Sequence, residues 1–107
     1  MVRTGRQRHR LTIQEVTTET QDDGSAPEVW SDVDEVWASV RPLRGSEFFE
    51  AQQMKASADH MVELRHYAGL RPQKHRFVFE GRVLNIVSVR NLDERDVAHE
   101  CLCREEP

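Results

Sequence analysis

Hydrophobic positions along the chain alternate with polar ones in short runs, the two-residue period of half-buried strands. Between Arg10 and Thr20, Leu11, Ile13 and Val16 alternate loosely with Thr12, Gln14 and Glu15 among β-favouring threonines, which predicts a first strand. Residues 21–27 interrupt it: Asp22-Asp23-Gly24 supplies a glycine able to take positive φ, and Pro27 stops any helix. Glu28-Val29-Trp30 predicts a short return strand, and residues 33–43 a longer one with Val36, Ala38 and Val40 on one face and Trp37 and Ser39 on the other. Pro42 cannot donate to a ladder, so that strand ends there or lies at an edge.

One segment changes period. From Ser46, Phe49, Gln53 and Ala56 fall at helical spacing, as do Phe48, Ala51, Gln52 and Lys55. Ser46 is the candidate N-cap, although the third residue after it is Phe49 rather than the Glu of a full capping box. The adjacent phenylalanines give this brief helix a wide apolar face for the sheet or for a neighbour. Strand alternation returns at His60 to His66, residues 67–73 form a loop with Gly69 and Pro72, and residues 76–89 predict a hairpin turning near Glu80-Gly81-Arg82. A polar turn at 91–96 leads to a last strand over 97–104. The fold class predicted is mainly β, a small antiparallel β-barrel or sandwich of six to seven short strands with one short inserted helix or loop.

Composition bounds the rest. With 107 residues, a second core would leave about 50 residues for each, too few without staples. One domain is expected, running over 11–104 with an insertion at 45–58, a basic N-terminal arm at 1–10 and an acidic tail at 105–107. No apolar run approaches the roughly 20 residues of a membrane span. The start of the chain lacks the apolar stretch of a signal peptide, and two cysteines make no disulfide framework. A soluble protein made in a cytoplasm is the expectation.

The net charge of −4 hides a steep asymmetry. Arg3, Arg6, Arg8 and Arg10 meet no acid in the first ten residues. Residues 11–40 then carry eight acids (Glu15, Glu19, Asp22, Asp23, Glu28, Asp32, Asp34, Glu35) and no Lys or Arg. Residues 41–92 swing back, with nine basic groups against five acidic ones. Such a block argues against a protein that coats DNA by neutralising phosphates.

Motifs of catalysis are missing. The five glycines stand singly at turns, and no Gly-x-Ser-x-Gly elbow, phosphate-binding loop or His-Glu-x-x-His occurs. His99, Cys101 and Cys103 would share one face of a strand, but zinc needs a fourth ligand, and the two cysteines read as small buried hydrophobes. Neither Asp22-Asp23 nor Asp93-Glu94-Asp96 has the spacing of a twelve-residue calcium loop, and both read as solvated turns. His60, His66 and His75 have no serine or cysteine nucleophile near them in sequence. Trp30, Trp37, Phe48 and Phe49 are expected mostly in the core. Nucleic-acid binding is the competing class: Arg76, Phe77, Phe79, Arg82 and Arg90 interleave aromatics with basic groups, although the phenylalanines read better as core. A metal-dependent enzyme is a third class, testable by copurifying metal.

Taken in order, a series of residues carries a resemblance. It runs through Arg6-x-Arg8-His9-Arg10-Leu11-x-Ile13-Gln14, Asp23-Gly24 and a tryptophan, Val36-Trp37-Ala38-Ser39-Val40-x-Pro42-Leu43 and Gly45-x-Glu47. It continues with Phe49-x-Ala51-Gln52-Gln53, Arg76-x-Val78-Phe79-x-Gly81-Arg82-x-x-Asn85-Ile86 and Asn91-x-Asp93-Glu94-Arg95. From about Gly5 to Cys103 the chain resembles the head–tail joining (head-closure, or stopper) proteins of long-tailed double-stranded DNA phages. The last strand departs from that pattern, with His99, Cys101 and Cys103 where aliphatic residues are usual.

The resemblance implies a β-barrel with a short insertion, no enzymatic activity and no cofactor. It also implies a homo-oligomeric ring of six or twelve subunits in the virion, assembled in the host cytoplasm. Portal and adaptor proteins would sit above the ring and a tail-completion or tail-tube protein below. Packaged double-stranded DNA would pass through it or be held without sequence-specific contact, and no membrane is involved. Segment 45–58 would reach the channel as a plug, through Ser46, Glu47, Phe48, Phe49, Gln52, Gln53, Met54 and Lys55; its alternative role is to pack Phe48 or Phe49 on the barrel. Arg3, Arg6, Arg8 and Arg10 would clamp the ring above. Part of the acidic set between Glu15 and Glu35 would face the lumen or the adjacent subunit.

Overall fold

Six antiparallel strands close on themselves in the order β1-β2-β3-β6-β5-β4, with one helix between the second and third. The computed structural model describes residues 9–18, 20–53, 57–91 and 97–107. The strands are β1 (His9–Thr18), β2 (Glu28–Pro42), β3 (His60–Arg65), β4 (His75–Phe79), β5 (Arg82–Asn91) and β6 (Ala98–Glu105); the helix α1 is Gly45–Gln53.

Alternation along the strands fills the barrel. Leu11 and Ile13 of β1, Ala38 of β2, Val62 and Leu64 of β3, Phe77 and Phe79 of β4, Leu84 and Ile86 of β5, and Cys101 and Cys103 of β6 form one buried cluster. Val36 and Val40 pack partly buried against it, on the face the alternation assigns them. Leu70 and Tyr67, from the loop after β3, cover one end. The β4–β5 turn has positive φ at both Glu80 (51°) and Gly81 (78°), the two-residue geometry whose twist matches that of the flanking strands. Cys101 and Cys103 are inert core residues, and burial pushes the Cys101 thiol up to about 12.

Three boundaries differ from the sequence reading. β2 is one strand of 15 residues rather than two. The register steps from Ile13↔Asp34 to Gln14↔Asp32, so Val33 is an extra residue in a bulge, and the inward–outward phase flips there. That flip disguises one strand as two. β1 opens at His9, so Arg10, grouped with the arm by charge, lies in the ladder opposite Trp37. The acidic end is tied into the sheet: Glu105 belongs to β6, and Glu106 donates its amide to the Val83 carbonyl at 2.9 Å. The turn at 91–96 falls largely outside the described residues.

The aromatic expectation also changes. Phe77 and Phe79 are core, but Trp37, Phe48 and Phe49 are 55%, 43% and 67% exposed. A six-stranded barrel this small is filled by branched aliphatics, two phenylalanines and two cysteines, and it leaves no room for more rings.

The long β1–β2 hairpin sets the shape. A chain of this length has an expected radius of gyration of about 13 Å; the observed value is 14.7 Å, with extents of 48 × 29 × 28 Å. β1 pairs with β4 only over Thr12 to Glu15, and β2 with β3 only over Ala38 to Pro42. Beyond those pairs the hairpin continues as a two-stranded ribbon. Phe77, fully buried where β4 meets β1, carries the core most directly. Phe77→Ala is expected to cost about 3–5 kcal/mol, read as a lower urea midpoint at unchanged slope.

Candidate docking surfaces

The ribbon is built to be stiff. Its tip closes through Gly24 N–H to the Gln21 carbonyl (3.0 Å) with Gly24 at φ 85°, and the Asp23 carboxylate accepts from the amide and hydroxyl of Ser25. These donors lower the Asp23 pKa. On the outer face, the Arg76 guanidinium of β4 reaches across β1: its Nε donates to Gln14 Oε1 (2.7 Å), and its planar group stacks 4.3 Å from the Trp30 ring of β2. Gln14 in turn donates to Asp32 at 2.8 Å. Nearer the other end of the hairpin, Arg10 lies over Trp37 and pairs with Glu35 at 3.2 Å. Two tryptophans expected inside thus serve as outer braces.

At the base of the ribbon, the inward Glu15 carboxylate lies 3.1 Å from Lys74 Nζ and 3.5 Å from His75 Nε2. His75 is buried, and its Nδ1 accepts from the Arg71 amide, so its proton sits on Nε2 facing Glu15. Burial pushes its pKa down, outweighing the neighbouring carboxylate. Burial and then the Asp34 carboxylate push the Tyr67 phenol up.

The opposite pole carries α1. The helix begins at Gly45, one residue before the expected cap: the Arg44 amide donates to Glu47 Oε1 (3.0 Å), so Glu47 supplies the backward half of a capping box. The same carboxylate takes a two-pronged contact from Arg41 of β2, at 2.6 and 2.5 Å. These contacts pull the Glu47 pKa down to about 2. Ala51 is the helix residue that buries, beside a groove of about 380 Å³ lined by Met61, Leu102 and Val89 among others. Phe48 and Phe49 are 43% and 67% exposed, so neither ring is buried on the barrel as the alternative role would have it; the small side chain of Ala51 is buried instead.

Of the residues expected in the inserted segment, Ser46 and Gln52 are exposed, Glu47 is half-buried in its clamp, and Gln53 ends the helix. Met54 and Lys55 lie outside the described residues, as do Arg3, Arg6 and Arg8 of the basic arm; Arg10 is held on the barrel wall. The structure therefore does not bring the four arginines together as one described surface. Sequence reasoning missed the ribbon and its brace. The available signal was Gln14, Trp30, Asp32 and Arg76 all falling on outward positions, but the bulge hid the phase of Trp30.

Chemistry is sparse. Among the described residues no group of three or more His, Cys, Asp or Glu side chains is placed to hold a metal ion. Phe77 and Phe79 face inward, so the β4–β5 hairpin offers no stack of aromatics to nucleic-acid bases. Among the same residues no helix is long and apolar enough to cross a membrane.

Comparison with known proteins agrees with a structural part. The family model for the phage head completion protein matches residues 2–106. The solution structure of protein SF1141 from Shigella flexneri 2a has a TM-score of 0.78 at 27% identity, covering 97% of this chain and 96% of that one. A chain in the virion of the native gene transfer agent particle has a TM-score of 0.64 at 22% identity, covering 92% and 93%, a likeness of fold. No curated protein matches the chain.

Two titrations test the geometry. Because Glu47 has a lowered pKa, its contribution is complete above about pH 4.5 and is lost as pH falls toward about 2. Glu47→Gln is expected to cost about 1 kcal/mol at neutral pH, given the exposure of the pair, and much less at about pH 3, by urea denaturation. His75 has the same sign in a higher window: with its folded pKa lowered below 6.5, its stability is full above about pH 6.5 and is lost as pH falls through the folded value. Nitrogen-detected NMR should find His75 as the neutral Nε2–H tautomer below pH 6.5, and His75→Asn, which keeps an acceptor for Arg71, should flatten the stability loss.

Proposed function

The chain belongs to the phage head completion protein family, and from that premise we propose that it joins head to tail as a ring of six or twelve copies below the portal and adaptor. The ring closes the DNA-filled capsid and offers the surface on which a tail-completion or tail-tube protein docks. The part is structural, not catalytic, and it is played in the virion after assembly in the host cytoplasm. The observation that carries this reading is the family match over residues 2–106, which spans the barrel, the ribbon and the inserted helix together.

A single subunit cannot surround a duplex; a closed ring with head-to-tail contacts can. In that ring the segment 45–58 is the plug. Its described part supports this: α1 stands off the barrel on one ion-pair clamp and one buried alanine, with Phe48 and Phe49 unburied. Apolar rings that the subunit leaves in water are available to meet their symmetry mates at a channel axis. Arg3, Arg6, Arg8 and Arg10 remain the candidate contact to the ring above. DNA is held by steric closure without sequence-specific contacts, consistent with the scarcity of basic groups on the ribbon.

Deleting the gene and imaging the lysate by electron microscopy tests the reading. DNA-leaking or empty capsids beside separate, complete tails are expected. Normal infectious particles would remove the protein from the connector.

A further inference from the structure

The ribbon leaves an edge of the sheet open. β2 has 15 residues, and five of them, Ala38 to Pro42, pair with β3. The remaining ten, Glu28 to Trp37, pair with β1 on one side and, among the described residues, with nothing on the other. An open edge of that length is a template for another chain. It is also held in place, because Arg76 of β4 on Trp30 fixes the ribbon to the barrel from its outer face and Arg10 on Trp37 ties β1 to β2. Val29, Val33 and Trp37 along it are exposed.

Charge decides what can meet this edge. Glu28, Asp32, Asp34 and Glu35 lie on it, and residues 11–40 contain no Lys or Arg. Two identical edges would face carboxylates with carboxylates, so a two-fold contact of ribbon on ribbon is disfavoured, as are its aggregated forms. A fitting partner surface is basic. The same chain carries candidates for it: Arg44 beside α1, Arg65 at the end of β3, Arg71 in the loop before β4 and Arg104 on β6 are exposed and make no ion pair among the described residues, whereas Arg10, Arg41, Arg76, Arg82 and Arg90 each already face a carboxylate.

We infer that the open edge of β2, Glu28 to Trp37, is the contact between neighbouring copies, seating on a surface of the next subunit that presents one of these exposed arginines. Such a contact joins two different patches, so it propagates head to tail and closes a ring when the rotation allows. The inference rests on the ring reading above and names the surface that makes the ring. It assigns the acidic block to the adjacent subunit rather than to the lumen. The bulge at Val33 and the carboxylates then have one purpose, to leave the edge usable by a basic partner and unusable by its own copy.

The test uses the full chain supplied to a deletion strain, with copies per head and DNA retention as readouts. Reversing the ribbon with Glu28→Lys and Asp32→Lys should lower the head-bound copies by about tenfold or more, the effect of a few kcal/mol of like-charge juxtaposition. Adding, in the same chain, one reversal among Arg44→Glu, Arg65→Glu, Arg71→Glu and Arg104→Glu should restore copies and DNA retention, and the arginine that does so identifies the receiving surface. A misfolded ribbon variant could not be rescued in this way. Closed, DNA-filled heads carrying the normal number of ribbon-reversed copies would overturn the inference and leave the head-closure reading standing. Loss with no rescue by any of the four would overturn it too. Infectious particles from the deletion strain itself would instead remove the head-closure reading.

Discussion

Four residue pairs between β1 and β4, Thr12↔Val78 through Glu15↔His75, shut the barrel. Without them β1 would be the edge of an open sheet, and Leu11 and Ile13, fully buried opposite β4, would face water. Side chains secure the seam at both ends. His9 packs against the Phe79 ring at one, and at the other Glu15 meets Lys74 and His75 while the Val16 amide bonds the Lys74 carbonyl. The neutral, buried His75 belongs to that closure, which is why its titration is expected to register in stability.

Closure forces the rest of the architecture. β4 is 5 residues long and β3 is 6, whereas β1 and β2 are 10 and 15. Strands that outrun their neighbours must leave the barrel, and here they leave together as the ribbon. At the other pole β2 hands the chain to α1, which Arg41 and Glu47 clamp beside the end of the strand. The molecule therefore has an acidic, braced ribbon at one end and an inserted helix with unburied phenylalanines at the other. Both are suited to contacts with other chains, as a head completion protein requires.

The same separation explains the scarcity of reactive groups. The cysteines are locked in the core with raised pKa values, and six of the ten described Lys and Arg side chains face carboxylates. Ion pairs and a filled core hold the described structure together. Arg82 and Glu105, paired beside His60 and Asp59 where β5, β6 and β3 begin or end, fasten the C-terminal strand in this manner.

Much of this was legible in the chain. Alternation at Leu11 and Ile13, at Val36, Ala38 and Val40, and at His99, Cys101 and Cys103 marks inward faces, because a strand's side-chain period is set locally by the backbone. Glu80-Gly81 marks its turn for the same reason, and the order of motifs carries the family. The continuity of β2 was not legible, since the bulge at Val33 flips the phase and only pairing with β1 shows that the ladder runs on. Nor were the exposed Trp37, Phe48 and Phe49, whose burial depends on how much volume the closed barrel leaves. The reach of Arg76 over β1 to Trp30, and the partners that fix the proton of His75, join residues far apart in sequence. Local propensity determined the strands and the turns; barrel closure and register, which are properties of the whole sheet, decided which edge stays open.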